Sequence, residues 1–172
     1  MNGQSLENVN SSPYLGVIIN NKLQWNSHID KISSEANRML GFLWRTMYRC
    51  PKEIKDKVYK ATVRQKLEYC SSIWDPYTSK SINKLEMVQR RAARFVMSKP
   101  HRKTGAQPSV SDMIHNLGWP SLMDRRLDSR LTLFYKMKNN LTEVPVKYHP
   151  EPARNQRPSR RNSQQLFQQH VF

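Results

Sequence analysis

Leu85-Glu86-Met87-Val88-Gln89-Arg90-Arg91-Ala92-Ala93-Arg94-Phe95 carries an apolar stripe and a cluster of arginines in one short run. Ile82, Leu85, Val88, Ala92 and Phe95 recur at steps of three and four, a spacing that lines one face of a helix and buries it against a core. Lys80, Lys84, Arg90, Arg91 and Arg94 are left on the outward side. Between Lys80 and Lys103 there are eight Lys or Arg and a single acid, Glu86. The helix cannot neutralise itself, and its positive face calls for an external polyanion.

Working outward, Ser79 is placed to cap this helix, which should fray near Ser98 to Pro100. The basic stretch 98–108, with Arg102 and Lys103, has no periodicity and reads as a mobile loop. Upstream, Asn26 or Ser27 can cap a first helix through Ile29, Ile32, Ala36, Met39, Leu40, Leu43 and Met47. Pro51 suits the first turn of a second, whose apolar positions are Ile54, Val58, Ala61 and Leu67. Trp74-Asp75-Pro76-Tyr77 breaks that helix. Downstream, Ser109 with Asp112 and Ser121 with Asp124 repeat a capping-box-like spacing, giving a short helix that ends at Leu117 before Gly118 and a longer one from Leu122 to Asn139. Tyr14 to Ile19, then Asn20-Asn21, then Lys22 to Trp25 read as a small hairpin with an Asn-Asn turn. The expected fold is mainly α. A polar lead (1–13) and a hairpin (14–25) precede a bundle of about five helices (26–140), and a basic, Pro-rich, poorly ordered tail (141–172) follows.

The 172 residues hold 29 Lys plus Arg against 13 Asp plus Glu, with a sequence pI near 10.2. Nucleic acid is the default partner for such an excess, with an anionic membrane surface second. No apolar run approaches the roughly 20 residues that span a bilayer, and the lead is polar, so neither a transmembrane segment nor a signal peptide is expected and the chain reads as intracellular, in nucleus or cytoplasm. Cys50 and Cys70 stand apart, and the five His do not cluster as ligands.

Three blocks then stand in order. Tyr14-Leu15-Gly16-Val17 with Leu23-Gln24-Trp25-Asn26-Ser27-His28-Ile29 comes first. Val63-Arg64-Gln65-Lys66-Leu67-Glu68-Tyr69 with Ile73-Trp74-Asp75-Pro76-Tyr77 follows, and Leu85 to Phe95 is third. Together they resemble the C-terminal part of reverse transcriptases of non-LTR (LINE-type, jockey-like) retrotransposons, from about Tyr14 to about Arg161. The resemblance implies a primer-grip hairpin at Tyr14 and Gly16, followed by a helical thumb that holds RNA or an RNA–DNA hybrid. It also implies a palm and fingers domain as a further partner, with Mg in the parent RNA-directed DNA polymerase. Gln65 stands where the family often has Pro, which weakens the implied break in the second helix. The family's paired aspartates would lie upstream of Tyr14, and its Trp-Asn-x-Leu-Pro-like block, which would follow, is absent. Both ends therefore read as truncated.

Two-metal nucleotidyl transfer needs converging carboxylates, and this sequence has no Asp-Asp. Asp124 and Asp128, among Arg125, Arg126 and Arg130, read as a surface ion-pair network. No catalytic residue, no metal ligand and no cofactor is expected in this chain, and no primer extension by it alone. The expected nucleic-acid contacts are Tyr14, Gly16, Lys60, Arg64, Lys80, Lys84, Arg90, Arg91, Arg94, Arg102 and Lys103, meeting phosphates without reading sequence. Trp44, Trp74, Tyr77 and Trp119 are expected in the core rather than stacked on bases. Arg154, Arg157, Arg160 and Arg161 form a basic patch in the tail. The rival reading is a degenerate helical module that binds RNA non-specifically or meets an acidic protein partner.

Overall fold

The structure, a computed structural model, describes residues 9–98 and 109–145. It is mainly helical, with an N-terminal two-stranded antiparallel hairpin ahead of the helices. β1 (Ser11–Tyr14) pairs with β2 (Val17–Asn20), Tyr14 standing opposite Val17. The hairpin thus turns at Leu15-Gly16 and not at Asn20-Asn21. A two-residue hairpin loop of type I′ needs positive φ at both positions, and Leu15 (φ 45°) and Gly16 (φ 86°) supply it. Asn20 instead opens the next turn, its backbone C=O accepting from the Leu23 N–H at 3.0 Å and its side chain from the Gln24 N–H at 2.7 Å. That turn carries Lys22 to Trp25, expected as a strand, into the first helix.

α1 (Asn26–Thr46) buries Ile29, Ile32, Ala36, Leu40 and Leu43, the stripe expected from its period. Its N-cap is Trp25, with no side-chain cap. Asn26 is turned away to accept from the Ser81 hydroxyl at 3.1 Å.

The second helix differs most from expectation. α2 (Lys52–Val58) runs into a π-helical segment, π1 (Tyr59–Arg64), and resumes as α3 (Gln65–Glu68), so there is no break at Gln65. Its buried positions are Lys55, Tyr59, Val63 and Leu67, while Ile54 and Ala61 are exposed. Wide π turns bring residues four apart close to one line, so the four-residue repeat 55-59-63-67 becomes the inward face. Lys55 is tolerated there because its ammonium donates to the Tyr48 C=O (2.8 Å) and the Ser98 hydroxyl (2.7 Å) and lies over the Tyr48 and Phe95 rings.

α4 (Ser79–Val96) is capped by Thr78, whose hydroxyl accepts from the Ser81 N–H, and not by Ser79. α5 (Val110–Asn116) starts under the Ser109 cap and ends before Gly118 at φ 61°. α6 (Leu122–Lys138) begins where Asp124 and Ser121 exchange hydrogen bonds. Taking α2, π1 and α3 as one rod, five helices follow the hairpin among the described residues. Backbone contacts divide the chain within α6, into Met1–Leu131 and Thr132–Phe172. The expected loop 98–108 lies outside the described residues beyond Ser98, and the expected tail lies outside them beyond Pro145.

The core of the first unit joins α1, π1, α3 and α4 through Leu40, Tyr59, Leu67, Leu85, Val88 and Phe95. Each buried side chain of this size contributes roughly 1.5–3 kcal/mol. Trp74 is fully buried and its indole N–H donates to the Tyr69 C=O at 2.8 Å. Trp119 stacks on Tyr59, and Trp44 meets Phe95 edge-on. Tyr77, expected in the core, is 75% exposed, because buried Pro76 fills the turn instead.

His28 ties the hairpin to this core. Its Nδ1 accepts from the Ile18 N–H at 3.4 Å, and its ring meets Trp74 edge-on. Burial lowers the His28 pKa from its usual value, the Lys31 charge lowers it further, and Glu35 opposes both. The unfolded state then binds the proton at higher pH than the folded state. Stability should fall as pH drops through about 6.5 toward the depressed folded-state value, then level off. Urea midpoints measured from about pH 7.5 to 5.5 should show this decline, and His28→Gln should flatten it.

Candidate nucleic-acid interface

α1 and α4 lie side by side and run in the same direction. Asn26 meets Ser81, Asp30 meets Lys84 and Asn37 meets Arg91, pairs separated by 55, 54 and 54 residues. A constant offset along both helices means parallel packing. The Lys84 ammonium is 2.5 Å from Asp30, and the Arg91 guanidinium donates to the Asn37 side chain at 2.8 Å. The Lys84 and Arg91 edge of α4 therefore overhangs α1. Lys80 and Arg94 continue that edge at helical spacing, and Arg90 lies one column away, beside the Met87 sulfur.

An open groove of about 610 Å³ follows this seam, lined by Ser34, Asn37, Arg38, Gly41, Arg45 and Arg91. Ser34 and Gly41 keep its floor low, while three guanidinium groups rim it. Arg38, Arg45 and Arg94 form no salt bridge with any described residue. The Lys84–Asp30 bridge is solvent-exposed, and such bridges contribute about 0–1 kcal/mol, so it yields readily to a competing anion. Glu86, the one acid of the opening stretch, is committed elsewhere. Its carboxylate accepts from the Met123 N–H at the start of α6, and burial raises its pKa.

The expected contacts do not all gather here. Lys84 and Arg91 reach the seam. Tyr14 and Gly16 are at the hairpin tip, where the Tyr69 hydroxyl donates to the Leu15 C=O at 3.1 Å. β2 packs near His28, and the groove begins more than a turn farther along α1. Lys60 and Arg64 lie on π1, paired with Asp56 at 2.7 Å and Glu68 at 3.6 Å. Arg102, Lys103 and the tail arginines lie outside the described residues.

Arg38 and Arg45 were missed. Neither is among the contacts expected from the sequence, yet Arg38, Gly41 and Arg45 share one α1 column at steps of three and four. That spacing, on the side away from Leu40 and Leu43, was the available signal.

The arginines of α6 form ion pairs, but not with Asp124 and Asp128. Arg125 makes a two-pronged contact with Glu68, which raises the Arg125 pKa, while Arg126 and Arg130 each hold Asp75 at 2.9 Å. Asp124 is occupied by Ser121, and carboxylates on neighbouring elements out-compete those on the same helix. Among the described residues no group of three or more His, Cys, Asp or Glu could hold a metal ion, and no helix is long and apolar enough to cross a membrane. No protein family, no curated protein and no solved structure matches the chain.

Proposed function

We propose that this chain is a nucleic-acid clamp, the hairpin and helical thumb of a LINE-type reverse transcriptase, holding RNA or an RNA–DNA hybrid by its phosphates. The observation that carries the reading is the basic seam between α1 and α4, whose Arg38, Arg45 and Arg91 rim an open groove. Arginine suits the task because its planar fork meets phosphate oxygens in pairs and ignores base identity. The Tyr-Leu-Gly and Trp-Asp-Pro-Tyr blocks support the family assignment. Polymerisation would belong to a palm domain carrying the aspartates and Mg, and this part would supply grip.

Fluorescence anisotropy with labelled hybrids of several sequences, titrated with salt, tests the reading. Affinity should fall steeply with salt and vary little with sequence. Arg38→Ala/Arg45→Ala/Arg91→Ala should weaken binding on the order of tenfold or more and reduce the log–log salt slope by roughly 2–3. A salt-insensitive interaction, or one with a protein that survives nuclease treatment, would favour the acidic protein partner instead.

A further inference from the structure

α1 buries Leu40 and Leu43, which turns Phe42 about 100° away from Leu43 toward solvent, and Phe42 is 51% exposed. With Glu35, Arg38, Met39 and Lys66 it lines an open depression of about 530 Å³ between α1 and α3. Arg38 also lines the seam groove between α1 and α4. One guanidinium therefore stands between two concavities, with Arg45 and Arg91 along the first and an aromatic ring in the second.

A single exposed apolar side chain marks nothing by itself; the surroundings of Phe42 do. Arg38, four residues before it, and Arg45, three after it, are its neighbours on the helix surface, and Lys66 lines the depression from α3. None of these three cations forms a salt bridge with any described residue, and neither does Glu35. Uncommitted cations around an open aromatic face are the combination that holds a nucleic-acid strand by phosphate and base together.

We propose that the depression takes an unpaired base on the Phe42 ring, so that the chain gains an affinity for a single strand, RNA or DNA, that a fully paired hybrid does not receive. The proposal rests on the clamp reading of the seam and specifies what that seam holds. A strand whose phosphates follow Arg91, Arg45 and Arg38 carries its bases to the side, and beyond Arg38 lies Phe42. In a duplex each base is stacked on its neighbours and must leave the helix to reach the ring. Glu35 repels phosphate but accepts from the exocyclic amino groups of a base edge, which suits the base end of a nucleotide. Every base has a π-face, so the discrimination is between unpaired and paired strands and not between sequences.

Fluorescence anisotropy of the full chain tests the proposal with four labelled probes, each roughly 12 nucleotides long, within the range of single-strand site sizes. They are a single strand of RNA, a single strand of DNA, a blunt RNA–DNA hybrid, and an abasic DNA strand that keeps the phosphates and lacks the bases. Circular dichroism verifies the helices of each variant. Phe42→Ala should weaken binding of both base-bearing single strands about fivefold or more, the usual loss when one stacking ring is removed. It should leave the hybrid, the abasic strand and the log–log salt slope unchanged. Phe42→Leu, which keeps the apolar bulk without the π-face, should lose nearly as much, and Phe42→Trp should retain the affinity. Equal weakening of all four probes by Phe42→Ala overturns the proposal. Salt-dependent binding of all four that is indifferent to Phe42→Ala overturns the base site and leaves the clamp reading standing. Failure of every probe to bind overturns both.

Discussion

Trp74→Ala should destabilise the protein by about 3–5 kcal/mol, the usual cost of truncating a fully buried aromatic. Trp74 has no exposed surface, and its ring closes the space between the hairpin side of α1, through His28, and the turn after α3. The substitution also leaves the Tyr69 C=O without the indole N–H that it accepts. Small domains are stable by about 5–15 kcal/mol, so the variant should unfold at a much lower urea midpoint and lose the edge contact that seats His28 under the hairpin. Trp74→Phe keeps most of the ring and loses the N–H, and should fall between the two. Tyr77→Ala, three residues away and 75% exposed, should change stability by no more than about 0.5 kcal/mol. Equal effects of Trp74→Ala and Tyr77→Ala in urea titrations followed by circular dichroism would refute this account.

The contrast between these two aromatics shows where the sequence is legible. α1 and α4 carry unbroken three-and-four spacing over many turns, so their inward faces follow from pattern alone, as does the outward placement of Lys80, Lys84, Arg90 and Arg91. The second rod could not be read that way. A π segment changes the residues per turn, and the apolar-looking Ile54 and Ala61 lose their place to Lys55 and Val63, one of them charged. The hairpin was one turn out of place because Asn-Asn is a stronger turn signal than Leu-Gly, and nothing local discloses that Leu15 accepts a positive φ. The candidate interface was half legible. α4 supplies one bank of the groove, and its arginines stand out in sequence; the other bank, Arg38 and Arg45, depends on α1 lying parallel to α4. Parallel packing of two helices separated by a third is a long-range property, and in sequence it leaves only the matched spacing of Asp30 with Asn37 and Lys84 with Arg91. The partners of Arg125, Arg126 and Arg130 were hidden for the same reason, since Glu68 and Asp75 come from distant positions in the chain.

Replacing either partner of the Arg126–Asp75 pair should have very unequal effects. Arg126 is 1% exposed, its Nε donates to Asp75, and its two terminal nitrogens are buried with no partner among the described residues. Asp75→Ala therefore leaves a guanidinium in the interior with its nearest counter-charge gone, and breaking a buried pair in that way costs about 3–5 kcal/mol. Arg130 loses its carboxylate in the same step, although it is more exposed and can turn to water. Arg126→Met has a different outcome. The Met side chain fills much of the same space, the two buried unpartnered donors disappear, and Asp75 keeps Arg130. Replacing a buried ion with an apolar side chain of similar reach is often neutral or stabilising, so the expected change is within about 1 kcal/mol. Arg126→Ala, which removes the same charge but leaves a void, should cost about 2–5 kcal/mol, a cavity effect rather than an electrostatic one. The decisive comparison is Asp75→Ala alone against Asp75→Ala in the Arg126→Met background. The second should be markedly the more stable in urea titration, because the charge that made the first costly is no longer there. If the two are equally unstable, Asp75 acts through its packing or through Arg130, and the buried guanidinium does not govern this junction between α6 and the turn at Trp74.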